Sequence, residues 1–265
     1  QMWHSIGTMK KFGYTALDTA EGTSTKIATA MRMHEQYSYV FASSPAYQAD
    51  LAKGFHCPED IVRIYPLPRV DILTDASYKQ EMRKKLYQRY PILKEKQVIL
   101  YVPTFRKKET MMQTYVDKLC DALYDDQILV VKRHPLSKLT IHNPHVLVDT
   151  SFTSFDMLFV ADAVISDYSC IIYEAALLNI PLYFYNFDMQ NYTGKRGLAI
   201  DYENELPGVI SKDPKVIIDS IEKEPYDMDE LQRFCKKYVV YDGNTSLHIA
   251  DFILNLMKEG NDAHE

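Results

Sequence analysis

From residue 98 to residue 185 the chain repeats one pattern. A short, continuously apolar run is followed by a stretch whose apolar residues fall at helical spacing. The runs are 98–102, 128–131, 146–148, 163–165 and 182–185. Between them Val116, Leu119, Cys120 and Leu123, then Phe155, Leu158 and Phe159, then residues 170–178, read as helices. Strands apolar on both sides must be buried on both sides, so this alternation demands a parallel sheet wrapped by helices. Upstream, the spacing predicts helices over 24–35 and 46–54 and strands over 39–42 and 61–65. The polar, charged segment 78–90 reads as a solvated linker helix and is the best domain boundary. Helices over 214–223, 229–238 and 245–258 complete the chain.

Composition narrows the function classes. Thirty Lys+Arg against thirty-six Asp+Glu leave a net charge of −6, which argues against a protein that coats nucleic acid. Only 9 glycines occur, with no G-x-G, so the dinucleotide fingerprint and the P-loop are both absent. The four cysteines are scattered with no C-x-x-C, as expected of free thiols in a reducing compartment. No apolar run approaches the roughly 18 residues needed to span a bilayer. The chain opens on Gln1 rather than Met, and we expect it to continue upstream.

Ligands of open parallel sheets bind beyond the carboxyl ends of the strands. Thr104-Phe105-Arg106 follows the first run, Lys132-Arg133-His134 the second, and Ser166-Asp167-Tyr168-Ser169 the fourth; Lys195-Arg196-Gly197 comes soon after the fifth. Cations and hydroxyls converging on one end of a sheet describe an anion site. Helix amides near Ser169 and the Ser166 and Ser169 hydroxyls would donate, and Arg106, Lys132 and Arg196 would neutralise two phosphates. The same residues equally fit a helix cap at Ser169 and a solvated cationic rim. His4, in a glycine-containing loop, and His134, at a strand end, are candidate proton-transfer groups. His142 and His145 have no third ligand in spacing, so no metal is expected.

Taken in order, Trp3-His4, Pro68-Arg69-Val70-Asp71, Tyr101–Arg106, Lys132-Arg133-His134-Pro135, Ser166–Ser169, Tyr173-Glu174-Ala175, Asp188, Tyr192, Arg196-Gly197 and Asp201-Tyr202 carry a resemblance. The string is similar to the CDP-glycerol glycerophosphotransferase family of teichoic acid primases and polymerases. That resemblance implies an α/β fold of GT-B type, with two Rossmann-like parallel-sheet domains across a cleft. Residues 1–72 would be the later part of an incomplete acceptor-side domain, and 73–265 the donor-binding domain with its C-terminal helices. It implies transfer of glycerol phosphate from CDP-glycerol to a hydroxyl of a lipid-linked teichoic-acid-like or capsular polymer, with release of CMP and no cofactor.

By the same resemblance His4 and His134 are catalytic. Arg106, Lys132, Ser166, Asp167, Ser169, Cys170 and Arg196 hold the donor's phosphates. The setting would be cytoplasmic, at the inner face of the membrane, with Lys10-Lys11 and Arg83-Lys84-Lys85 as candidate lipid contacts. Two positions depart from the family's pattern: Ser5 stands where a glycine is usual, with an expected loss of backbone freedom, and Cys170 where a serine is usual. CDP-ribitol is the rival donor. A UDP-sugar-dependent GT-B glycosyltransferase and a non-catalytic nucleotide-binding half are the other readings.

Overall fold

The structure, a computed structural model, describes residues 1–104, 109–132, 141 and 143–262, without the side chains of 109–111, 196 and 260–262. Helix α1 (Thr25–Ala30) starts at Ser24, whose hydroxyl caps the amide of Ile27. It ends well short of the predicted residue 35, because Arg32 and His34 adopt left-handed backbone, φ 50° and 61°. Strand β1 (Val40–Ala42), helix α2 (Gln48–Phe55) and strand β2 (Val62–Ile64) follow. β1 and β2 pair in parallel, and Met2 bridges to Phe41 along the other edge of β1. Helix α3 (Arg69–Thr74) and the charged helix α4 (Ala76–Arg89) lead to the larger sheet.

That sheet contains β3 (Gln97–Val102), β4 (Gln127–Val131), β5 (Val146–Val148), β6 (Ala163–Ser166), β7 (Leu182–Tyr185) and the two-residue β8 (Ile210–Ser211). Among the described residues its order is β5-β4-β3-β6-β7-β8, with every pair parallel. The chain runs outward from β3 to β5, then returns to lay β6 beside β3. The strand order therefore reverses between β3 and β6, and the crevice beyond their carboxyl ends is the topological switch point.

Helices α5 (Glu109–Ala122), α6 (Ser154–Leu158), α7 (Ile171–Leu177), α8 (Met189–Arg196), α9 (Pro214–Lys223) and α10 (Met228–Tyr238) cover the sheet. The last helix, α11 (Thr245–Asp262), lies against α3. Alternate strand residues feed two cores. Ile99, Tyr101, Leu129, Val131 and Ile165 pack with Ile217 and Ile218 of α9. On the other face Val98, Leu100, Val130 and Val164 join a core that continues into Ile6, Phe12, Val40 and Phe55. The N-terminal segment is thus welded to the face that carries α7 and α10.

Candidate active site

A cleft of about 490 Å³ opens at the switch point, lined by the N-terminal loop, Arg69, and the segments following β3 and β6. The loop is placed by aromatic packing. Trp3 lies 4.0 Å from Phe12 and 5.4 Å from Phe55, ring centre to ring centre. His4, tilted against Trp3 at 4.2 Å, remains exposed at the cleft. The position that needs glycine is Gly7, where a Cβ would sit 2.1 Å from Oη of Tyr47 and 2.6 Å from the Tyr173 ring. Ser5 sits in the loop without backbone strain. It is absent from the positive-φ residues, and its Oγ donates to the Gly7 carbonyl at 2.8 Å.

The loop after β6 is braced from below. Asp167 is fully buried, and its carboxylate accepts from the Thr104 amide at 3.0 Å, the Thr104 hydroxyl at 2.8 Å and the Tyr168 amide at 2.5 Å. Asp167 therefore holds the loops after β3 and β6 together, and is a brace rather than a ligand-facing group. Tyr168 stacks on Tyr192 at 4.0 Å and reaches Asp188 at 3.3 Å, while Tyr202 donates to the Asp167 carbonyl at 2.8 Å. Asp188, Tyr192 and Tyr202 are thus the underside of the Ser169 turn. Ser169 and Cys170 both line the cleft.

Several expectations about the anion site are corrected. Ser166 is fully buried at the end of β6; its Oγ has no partner among the described residues and does not line the cleft. The residue that caps α7 is Cys170, with no side-chain capping bond, so Ser169 is not a cap. Lys132 is buried, and its ammonium donates to Asp149 Oδ2 at 2.6 Å, to the Asp149 carbonyl at 3.0 Å and to the Phe152 carbonyl at 2.5 Å. Lys132 lines the cleft, and in this arrangement its three N–H groups meet three protein oxygens. Burial raises the pKa of Asp149, but bonds from Lys132 and Tyr90 outweigh it and hold the carboxyl below its ordinary value.

Arg106 and His134 lie outside the described residues, as does the side chain of Arg196, whose backbone ends α8. His142 is also outside them. Lys10, one of the candidate lipid contacts, lines the cleft, with its ammonium 3.5 Å from the Thr104 hydroxyl and 5.2 Å above the Tyr192 ring. Sequence spacing gave no hint of this cation, because the segment that carries it lies far from the sheet in sequence.

Cys170 and Ser5 are the two departures from the family's pattern. Burial pushes the Cys170 thiol up, with hydrogen bonding to Ser5 and the Met9 backbone opposing it. Glu174, on the next turn of α7, is 1% exposed and lines the cleft. Burial raises its carboxyl to about 7, with Arg69 pulling the other way. Arg69 and Glu174 were legible only as parts of a motif string, with no role attached.

The chain matches the family model described as CDP-Glycerol:Poly(glycerophosphate) glycerophosphotransferase over residues 1–255. It is 31% identical to a teichoic acid ribitol-phosphate primase of Bacillus spizizenii, covering 99% of this chain and 70% of that protein. It is also 31% identical to a teichoic acid glycerol-phosphate primase of Bacillus subtilis, covering 97% of this chain and 68% of the relative. A poly(ribitol-phosphate) polymerase of Bacillus spizizenii is 32% identical, and the chain spans 42% of its length. Among solved structures, the wall teichoic acid polymerase TagF superposes with a TM-score of 0.79 at 22% identity, covering 98% of this chain and 68% of that one. That likeness shows a shared GT-B-type fold. With the matched length, the fold and the cleft in agreement, the chain belongs to the CDP-glycerol glycerophosphotransferase family of teichoic acid enzymes.

Proposed function

We propose that this protein transfers glycerol phosphate from CDP-glycerol to a hydroxyl of a lipid-linked teichoic-acid-like or capsular polymer, releasing CMP. The observation that carries this reading is the switch-point cleft, which brings His4 of the N-terminal loop and Ser169 of the β6 loop to one cavity. The acceptor oxygen attacks the β-phosphorus while the bond from that phosphorus to the CMP oxygen breaks. The acceptor's proton passes to the His4 imidazole, and the electron pair leaves with CMP. Ser169 and the neighbouring amides hold the diphosphate, and Lys10 offsets the charge that develops on it. The family resemblance assigns His134, Arg106 and Arg196 to the same phosphates. Residues 1–72 form the acceptor side and 73–265 the donor side.

A second donor has specific support. The ribitol-phosphate and glycerol-phosphate primases are equally identical to this chain, so overall identity does not favour one alditol. Among the described residues no helix is long and apolar enough to cross a membrane. We propose contact with the inner face of the membrane, where the lipid-linked acceptor resides. In the Arg83-Lys84-Lys85 cluster, Lys85 already pairs with Glu81 at 2.6 Å.

Calorimetric titration with CDP-glycerol, CDP-ribitol and UDP-glucose tests the donor assignment. Saturable binding of a CDP-alditol, weakened in Ser169→Ala, supports it. Preference for UDP-glucose contradicts it.

A further inference from the structure

The backbone of His4 is held by a charged side chain. Arg69, the first residue of α3, donates from Nη2 to the His4 carbonyl at 2.7 Å and from Nη1 to Glu174 Oε1 of α7 at 3.3 Å. Its guanidinium carbon sits 4.7 Å over the Phe155 ring. A planar fork held at three points has little freedom left, and a lysine ammonium cannot reproduce that geometry. Glu174 is the buried end of the bridge. Its Oε2 has no hydrogen-bond partner among the described residues, so Arg69 is its recorded charge partner.

The bridge ties together three pieces of chain that are remote in sequence: residue 4, residue 69 and residue 174. Trp3 fixes the base of the loop by packing, and Tyr173 of α7 donates to the Thr8 carbonyl at 3.3 Å. The Arg69 fork adds a tie to α7 through the carbonyl of the histidine itself.

We propose that Arg69, anchored by Glu174, is a positioning residue for His4, setting the histidine's place against the donor side of the cleft. The idea rests on the proposed role of His4 in transfer. Arg69 touches neither reacting atom in this account. It acts by keeping the imidazole within the narrow geometry that proton transfer needs, where an error of about 1 Å can cost about 10²-fold in rate.

The test uses the full-length protein with Arg69→Ala, Arg69→Lys, Glu174→Gln and His4→Ala. Two readouts are taken: CMP release from CDP-glycerol or CDP-ribitol, and the histidine ring resonances by NMR, with the His4 signal identified by its loss in His4→Ala. We expect Arg69→Ala to lower kcat about 10²-fold, with partial recovery on adding millimolar guanidinium and no recovery in His4→Ala. Arg69→Lys keeps the charge without the fork and should stay impaired. The His4 resonances should move in the Arg69 variants and, less, in Glu174→Gln, while those of His34, His56 and His248 hold. Unchanged His4 resonances in Arg69→Lys and Glu174→Gln overturn the proposal, as does a kcat loss that guanidinium leaves untouched. If the unmodified protein releases no CMP, the functional reading fails, and the ring resonances still decide the positioning.

Discussion

Lys132 and Asp149 face each other at 2.6 Å with side chains 6% and 0% exposed, and that pair ties the carboxyl end of β4 to the segment after β5. A strand-end lysine in an anion-binding fold invites assignment to a phosphate, yet this one is buried against the segment that carries Asp149 and Phe152. Lys132→Met should therefore act first on stability. It leaves Asp149 buried without its cation, held only by Tyr90 and the Ser151 and Phe152 amides, a loss of about 3–5 kcal/mol. Denaturant unfolding should show the fall in the absence of any nucleotide. A variant that is as stable as the parent but binds donor poorly would return Lys132 to the phosphates.

Asp167 joins β6 to the segment after β3 through Thr104. Asp167→Ala removes acceptors for the Thr104 amide and hydroxyl together, so the expected change is local. Amide exchange at Thr104 should accelerate strongly, with exchange in the centre of β4 unaltered. Donor affinity should fall with it, because the same carboxylate holds the turn that presents Ser169.

Glu174 gives a pH dependence with a definite sign. Its carboxyl is raised by burial from 4.5 to about 7, against the pull of Arg69. Between these values the folded protein holds a proton that the unfolded chain has released. Stability from this group is therefore full below pH 4.5 and declines as pH rises toward 7, by up to about 3 kcal/mol. Glu174→Gln should flatten the slope of unfolding free energy across that window. An identical slope in the variant would show that other groups carry it.

Gly7 and Ser5 should respond in opposite ways to one methyl or hydroxymethyl group. Gly7→Ala drives a Cβ against Tyr47 and Tyr173, which are 2% and 0% exposed and have nowhere to go. A loss of about 1–3 kcal/mol is expected. Ser5→Gly removes one hydrogen bond to Gly7 and should cost about 1 kcal/mol. Thermal unfolding of the two variants side by side checks the contrast.

The sheet was legible because its strands are written in continuous β-branched and apolar residues, and the turns between them in polar ones. β8 was not, since two residues carry no pattern, and α8 was missed because Met189–Arg196 is polar almost all round. The site divides the same way. His4, Ser169 and Cys170 stand where sequence order places them, at the cleft. The partners that decide what Lys132, Asp167 and Glu174 do lie 17, 63 and 105 residues away. Spacing along the chain reports a residue's own element, not the element that will fold against it. Hence Lys132 looked free, Glu174 looked like an ordinary helix residue, and Asp71 gave no sign that it binds the amides of Thr245 and Ser246 at the start of α11.

Alditol-phosphate transfer with His4 as the proton acceptor can be tested in one assay. The most direct measurement is CMP release by the full-length protein, supplied with a lipid-linked polymer acceptor and either CDP-glycerol or CDP-ribitol, beside His4→Ala. CMP should form in step with alditol phosphate incorporated, from at least one of the two donors, with near-complete loss in His4→Ala and donor binding retained. No CMP from either donor, or undiminished release by His4→Ala, would contradict it.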